Sequence, residues 1–256
     1  MQMWDPAQYL NFASERSRPF FDLTARIGAA DPRTVVDLGC GPGQLTAALA
    51  ARWPQAEILG IDSSTEMIKA AMAHATDRLS FRVEDATAWH ADRPVDVIIS
   101  NAVLQWVPSH LELLPQWATA LAPDGWLAFQ LPGNYDQPSH AVLRELAASA
   151  RWRDRLADVQ LNRQSGEPSQ YLDLLASVGL VVDAWETTYL HVLPGEDAVT
   201  QWYKGTGLRP VLAALTDAES AEFTAAYGEL VRAAYPAQPY GTVLPFRRVF
   251  VVAHRA

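Results

Sequence analysis

The chain reads as α/β, a Rossmann-like, mostly parallel sheet set between helices, with a largely helical region toward its C-terminus. From about Thr34 to Leu131, short β-rich runs alternate with stretches of helical spacing, as in successive βαβ units. The first run ends in a G-x-G-x-G turn that leads straight into a helical stretch. With 256 residues and 49% apolar content, roughly 70–75% of the unfolded chain's surface can be buried, enough for one large core.

The β-rich runs are Thr34 to Leu38, Ala56 to Ile61, Leu79 to Val83, Val95 to Ser100 and Trp126 to Leu131. Between them Leu45, Ala48 and Leu49, then Met67, Ile68, Ala71 and Met72, recur at helical spacing, with Pro54 closing the first helix. Ser63 with Glu66 three residues on predicts a capping box at the second. A third helix is expected from about His110 to Leu121, with Leu111, Leu114, Trp117 and Leu121 on one face. Helical stretches from Ala141 to Leu156 and Ser169 to Val178 lead to a sixth strand, Leu180 to Leu193. A mostly helical insert follows from Pro194 to Pro245, and Phe246 to Arg255 is the last strand.

Composition narrows the function. The net charge of −9 lacks the basic footprint of a phosphate-backbone binder, so no nucleic-acid partner is expected. The single cysteine, Cys40, excludes an internal disulfide framework and a cysteine-based zinc site, and points to a reducing compartment. No secretory signal pattern and no apolar run of ~18–20 residues is visible, so the expectation is a cytoplasmic protein with no membrane partner. The six histidines show no metal-ligand spacing, and no metal is expected. Eighteen arginines stand against two lysines. Codon usage of the source genome accounts for such a bias; the alternative is that some arginines hold carboxylates or phosphates by bidentate pairing.

The stretch VVDLGCGPG, Val35 to Gly43, carries the most information. Gly39, Gly41 and Gly43 let the backbone turn sharply and approach a ligand closely. A dinucleotide site would want its third glycine where Gln44 stands. Asp37 is awkward for a pyrophosphate but useful near an ammonium or sulfonium, which favours S-adenosylmethionine. Asp62, followed by Ser63, ends the second strand where both ribose hydroxyls of an adenosine ligand can be accepted. Asp85 is placed for an adenine amino group, Ala86 leaves room for the ring, and Asn101 and Gln105 lie on the loop after the fourth strand. All sit at carboxyl ends of parallel strands, where open α/β sheets bind ligands. Cys40, inside the turn, reads as a structural small residue.

VVDLGCGPG, GIDSS, VEDA and NAVLQW together resemble the class I S-adenosylmethionine-dependent methyltransferases, over about Thr34 to Leu131. The segments WDPAQYLNFASERSRP, NAVLQWVP, WETTYLHVLP, TGLRP and FRRVFVVAHR extend a closer resemblance, to the trans-aconitate 2-methyltransferase family, over nearly the whole chain. The stretch Arg151 to Glu167 matches no such segment.

The resemblance implies a seven-stranded sheet with the last strand antiparallel, and a monomeric enzyme that esterifies a carboxylate of a small tricarboxylic acid. It divides the chain into an N-terminal closing segment (1–30), a cofactor-binding core (31–132), helices with the sixth strand (133–193), a helical lid (194–245) and the last strand (246–256). Tyr9 and Arg16, in the closing segment, are expected at the cofactor.

If the sixth strand is parallel and the seventh antiparallel, the lid springs from the active edge. It then brings Arg209, Arg247 and Arg248 toward substrate, while Arg18 arrives from the N-terminal segment. Arg209 and Arg247 are the first candidates for carboxylate anchors, with Arg18 and Arg248 in reserve. Neighbours on a strand face opposite ways, so only one of Arg247 and Arg248 should enter the site. Trp106, Trp202 and Trp4 are candidates either for the wall of the site or for plain core packing, and His191 ends a strand at the same edge. A carboxylate is ionised at pH 7 and needs no general base. Only neutral donors, Gln105 or Tyr135, are therefore expected beside the reacting group. Two rivals stand beside this reading: a methyltransferase of a neutral hydroxyl or amine, which would need a base, and a non-catalytic S-adenosylmethionine-binding module.

Overall fold

The computed structural model describes residues 13–161 and 165–255, with side chains from Ser17 onward. Its strands are β1 (Thr34–Leu38), β2 (Glu57–Asp62), β3 (Leu79–Val83), β4 (Val95–Asn101), β5 (Leu121–Pro132), β6 (Leu180–Leu193) and β7 (Thr242–Arg255). They form one sheet in the order β3-β2-β1-β4-β5-β7-β6. β1 to β5 pair in parallel, and β7 runs antiparallel to both β5 and β6. The carboxyl ends of β1 to β6 and the start of β7 therefore share one edge, and every segment that leaves or enters there can reach a common cleft. β1 and β4 are nearly continuous apolar runs because both of their faces are covered.

The helices are α1 (Ala13–Thr24), α2 (Gln44–Arg52), α3 (Thr65–Ala71), α4 (His110–Thr119), α5 (Pro138–Ala147), α6 (Pro168–Ser177), α7 (Ala198–Lys204), α8 (Arg209–Ala214) and α9 (Asp217–Ala234). On one face of the sheet, Phe20, Leu23 and Leu49 of α1 and α2 pack on Val35, Val97, Ile99 and Phe250. On the other, Leu114 and Trp117 of α4 and Tyr171 and Leu175 of α6 pack on Val36, Ile98, Phe129 and Val251. A third core, containing Trp202, Tyr203, Phe223 and Tyr227, fills the helical insert between β6 and β7.

Several local expectations shift. The cap of α3 is Ser64, whose Oγ accepts the Met67 N–H at 3.2 Å, while Ser63 is exposed. The Asp62 carboxylate takes the Ser64 N–H at 2.9 Å and so sets the entry one residue later. On α4 the buried stripe is His110, Leu113, Leu114, Trp117 and Ala118. Leu111 lies about 100° off that stripe and is 40% exposed, and Leu121 already belongs to β5. β7 starts at Thr242, four positions ahead of the Phe246 expected, because the antiparallel ladder with β6 continues to the Leu193–Thr242 pair.

The stretch expected to be one helix from Ala141 to Leu156 is instead α5 followed by consecutive turns, with Trp152 N–H and Arg153 N–H both donating to the Ser149 carbonyl. Those turns carry Trp152 and Leu156 into the core of the insert, where Trp152 meets the Phe223 ring edge-on at 5.3 Å. Long-range packing overrides local periodicity here. The Arg151 side chain, which matched no motif, pairs with Glu222 at 2.8 Å on the same helix α9.

Candidate active site

The glycine turn joins β1 to α2. Gly39, Gly41 and Gly43 hold φ of 85°, 56° and 84°, a region that side-chain-bearing residues rarely adopt. The N–H groups of Gly39 and Cys40 both donate to the Ile61 carbonyl at 2.8 Å, which folds the turn onto β2. A Cβ on Gly39 would come within 2.1 Å of Val103, on the loop after β4, whereas a Cβ on Gly41 would meet nothing described within 4 Å. Gly39 thus allows close packing of two loops, and Gly41 borders open space.

Asp37 and Asp62 flank this turn. Asp37 is buried and accepts a 2.7 Å bond from Thr46 Oγ. Burial pushes its carboxyl up to about 7; the Thr46 hydroxyl opposes the shift, and the charge of Asp62 adds to it. Asp62 accepts the Gly41 N–H on Oδ2 at 3.0 Å and the Ser64 N–H on Oδ1 at 2.9 Å. Each oxygen keeps a second acceptor direction, the requirement for a vicinal diol. Burial raises this carboxyl as well, against both backbone bonds. The Cys40 thiol is pushed up by burial and by the two acids, so it stays protonated and inert. At the end of β3, Asp85 accepts the Thr87 N–H and hydroxyl on Oδ1, both at 2.8 Å, and Ala86 is buried.

The loop after β4 is held from β5. Ala102, at a φ of 58°, donates its N–H to the Gln130 carbonyl at 2.9 Å, and Gln130 Nε2 donates to Asn101 Oδ1 at 2.6 Å. Gln105 Nε2 donates to the Ala102 carbonyl at 2.6 Å, while its Oε1 is buried without a hydrogen-bond partner. On the other side of Gln130, Arg248 Nη1 donates to Oε1 at 3.0 Å. Arg248 is 5% exposed, and its guanidinium carbon lies 4.9 Å from the Phe246 ring centroid. A polar chain thus runs across the sheet edge from β4 to β7.

The two adjacent arginines part as strand geometry requires. Arg247 points to the opposite face, where its Nε and Nη2 contact Glu186 at 2.9 and 2.6 Å, its Nη2 pairs with Glu167, and its Nη1 donates to the Gly133 carbonyl. Its fork is already taken by carboxylates of the chain itself, so it drops out as an anchor. Arg18 is largely exposed on α1, 5.0 Å from the Tyr189 ring centroid, and Tyr189 donates to Asp22 at 2.6 Å. Arg209 is half-buried at the start of α8.

Trp202 is buried in the core of the insert, and His191, buried at the end of β6, packs against it. They stack at 4.9 Å, with Phe246 5.6 Å from Trp202. Trp106 is half-buried on the loop after β4. Tyr135 is buried, its ring 5.0 Å from that of His140, and its carbonyl accepts from Arg144 at 2.8 Å. Trp4 and Tyr9 lie outside the described residues, and so does the side chain of Arg16.

A hydroxyl cluster behind Tyr135 escaped the sequence reading. Tyr203 from α7 meets Asn134 Nδ2 at 3.0 Å and Ser139 Oγ at 2.7 Å. The Tyr235 hydroxyl donates to Ser139 Oγ at 3.2 Å, and the Tyr227 hydroxyl donates to the Ser139 carbonyl at 3.2 Å. The cluster ties the insert to the segment that leaves β5. Gln130, likewise missed, left one signal: an amide inside the otherwise apolar run WLAFQL.

Among the described residues, no three His, Cys, Asp or Glu side chains are grouped to hold a metal ion, and no helix is long and apolar enough to cross a membrane. A cavity of about 500 Å³ bordered by Thr34, Glu57, Arg78 and Arg93 opens at the opposite end of the strands; Val35 and Val36 line it, but none of the candidate cofactor or substrate residues does.

A sequence profile described as "Methyltransferase domain" matches residues 12–182. The trans-aconitate 2-methyltransferase of Streptomyces avermitilis is 54% identical over 260 residues, spanning 98% of this chain and 97% of that protein. Its namesake from Rhodococcus jostii is 49% identical over 98% of this chain and 99% of its own length. Among solved structures, the Haemonchus contortus phosphoethanolamine N-methyltransferase 2 complex with phosphomonomethylethanolamine and S-adenosylhomocysteine superposes at a TM-score of 0.56. That match has 15% identity and covers 93% of this chain and 52% of the other, a likeness of fold alone.

Proposed function

The chain belongs to the trans-aconitate 2-methyltransferase family, and on that premise we propose that it methylates one carboxylate of a small tricarboxylic acid, trans-aconitate first of all. The products are the monomethyl ester and S-adenosylhomocysteine. When bound, S-adenosylmethionine supplies a methyl group on a cationic sulfur, open to in-line displacement.

The donor set suits that cofactor. Asp62, with one backbone N–H on each oxygen and one lone pair to spare, would accept the ribose hydroxyls. Asp37 is buried beside the turn, where a cationic group of the ligand would favour its ionised form. Asp85, Ala86, Asn101 and Gln105 would complete the cofactor side, and the glycine turn, which offers no array of spare N–H groups, suits a ligand without phosphates.

One observation carries the substrate class: Arg248, a nearly inaccessible guanidinium, is fixed by Gln130 at the same edge as the acids. A buried arginine there suits a spectator carboxylate, which it would hold bidentately. Arg209, half-buried at the start of α8, is the candidate for the second spectator. The reacting carboxylate is ionised at neutral pH and brings its own nucleophile. A guanidinium on it would occupy the lone pairs it needs. Neutral groups, Gln105 and Tyr135, therefore suit its surroundings better. Gln105 enters with one Nε2 hydrogen already committed to Ala102, so it has one donor left. The insert would exclude water as carboxylate and sulfonium charge are neutralised. One cysteine in the whole chain supports a reducing, cytoplasmic setting.

The test is S-adenosylhomocysteine release with a panel of di- and tricarboxylates, neutral alcohols and amines. Turnover should be fastest with trans-aconitate. Turnover confined to alcohols or amines would replace this reading, and cofactor binding without turnover of any acceptor would leave a binding module.

A further inference from the structure

Gln130 is fully buried within the sheet, in the run Trp126 to Pro132 that is otherwise apolar on both sides of it. An amide in that position is unfavourable unless both of its ends are satisfied. Here they are, and in a fixed direction. An arginine can only donate, so the atom facing Arg248 Nη1 at 3.0 Å must be Oε1. Nε2 is then turned toward β4, where it must find an acceptor, and Asn101 Oδ1 supplies it at 2.6 Å. With its oxygen turned to Gln130, Asn101 presents its Nδ2 donor to the sheet edge. The backbone carbonyl of Gln130 adds a second hold on the same loop through the Ala102 N–H at 2.9 Å.

We propose that Gln130 is a positioning residue, a one-way hydrogen-bond relay through which the Arg248 guanidinium fixes the orientation of the Asn101 amide and so aligns the two sides of the cleft. This deepens the assignment of Arg248 to a substrate carboxylate and Asn101 to the methyl donor, and rests on it. The relay works because each member has a restricted role: a donor-only cation, then two amides whose ends are distinguishable. If the direction is reversed at Gln130, it reverses at Asn101 as well.

Two variants test that logic. In Gln130→Glu both side-chain oxygens accept. Arg248 keeps its partner, but Asn101 must turn its Nδ2 toward the acid and present oxygen to the cleft. Asn101→Asp presents oxygen there directly. Titration calorimetry with S-adenosylhomocysteine should show the two variants weakened by the same factor, about tenfold for one lost hydrogen bond. Wild-type affinity in Gln130→Glu, or a loss there that Asn101→Asp does not match, would overturn the relay.

Gln130→Leu covers the case in which the acid fails to fold. It removes the relay while matching the apolar run; its melting temperature should fall, because Arg248 and Asn101 lose a partner, and kcat with trans-aconitate should fall by about 10²-fold through misalignment. An unchanged kcat in that variant would leave Gln130 a packing residue. If the wild-type protein methylates no polycarboxylate, the functional assignment fails on its own, and the calorimetric comparison still decides the relay.

Discussion

The bonds that fix the two acids join residues near one another in the chain: Thr46 to Asp37 across 9 positions, Gly41 to Asp62 across 21. On the insert side the separations are far longer. Asn134 reaches Tyr203 across 69 positions, Ser139 reaches Tyr235 across 96, and Gln130 reaches Arg248 across 118. The first side is built around the glycine turn from bonds within β1, β2 and the segments that follow them. The second side is built from long side chains that join the segment after β5 to the insert, and β5 to β7. A change on the first side should therefore appear in cofactor affinity. A change on the second should appear in substrate turnover or in stability.

The sharpest test of that division is Arg248→Ala. It should lower kcat/KM for a tricarboxylate by ~2–5 kcal/mol, because a buried carboxylate loses its partner, while the calorimetric affinity for the cofactor barely moves. A dicarboxylate lacking the anchored group should be hurt much less. Arg247→Ala, whose partners are Glu186 and Glu167, should leave kinetics close to wild type. If Arg248→Ala weakened cofactor and substrate equally, the two sides would not be separable.

Asp62→Ala is the counterpart on the first side. Its loss should fall on cofactor affinity, at ~1.5–3 kcal/mol for each charge-assisted bond removed. The chain should still fold, with a lower melting temperature because the Gly41 and Ser64 N–H groups lose their acceptor. An unchanged calorimetric affinity would remove Asp62 from the ribose.

A smaller effect separates the sides by pH. Between the ordinary carboxyl value of 3.8 and about 7, the folded chain keeps a proton on Asp37 that the unfolded chain has released. The ligand-free protein should therefore lose stability from this group as pH rises through that window. A bound cation favours the ionised form, so binding should release a proton below pH 7, and cofactor affinity should rise with pH up to about 7 and then level off. Asp37→Asn should abolish both slopes in melting curves and calorimetry. With both ligands saturating, turnover should stay flat from about pH 6 to 9, since the attacking carboxylate is ionised throughout. A bell-shaped profile would point to a base on the insert side.

The smallest change expected is in Tyr203→Phe. It deletes the hydroxyl shared by Asn134 and Ser139 and should lower stability by ~1–3 kcal/mol. KM for the acid should rise more than KM for the cofactor; the reverse order would mean that the hydroxyl cluster serves the cofactor.

The same contrast explains what could be read from the residues alone. The glycine turn, Asp37, Asp62 and the strand order follow from patterns that span a few dozen positions, and the βαβ alternation forces their ends to one edge. The placement of Arg247 was not legible. Strand alternation separates it from Arg248, but nothing local says which of the two faces Glu186. Trp202 and His191 sit in segments close to the cleft, yet their rings stack on each other in the interior, an arrangement completed by Phe246 on β7 and Tyr189 on β6. The hydroxyl cluster has no motif, because its members come from three helices, a loop and a helix end. Ser63 and Leu111 were each displaced by a single residue, a scale at which capping and stripe rules are loose.

The insert leaves the sheet at Leu193 and returns at Thr242, and those two residues are partners on the last rung of the β6–β7 ladder. Its ends are therefore as close as the ends of a hairpin turn, and a two-residue Asn-Gly connection could in principle replace the whole of it. Evolution can treat such a segment as a cartridge: exchange it, and the sheet with its methyl-donor turn keeps its register while the acceptor pocket is rewritten. The seam that a transplanted cartridge must match is short. It comprises Leu143, Ala147, Trp152, Leu156, Leu193, Leu244 and Phe246, the buried apolar residues outside the insert that its core covers, together with Ser139, where three of its tyrosines converge.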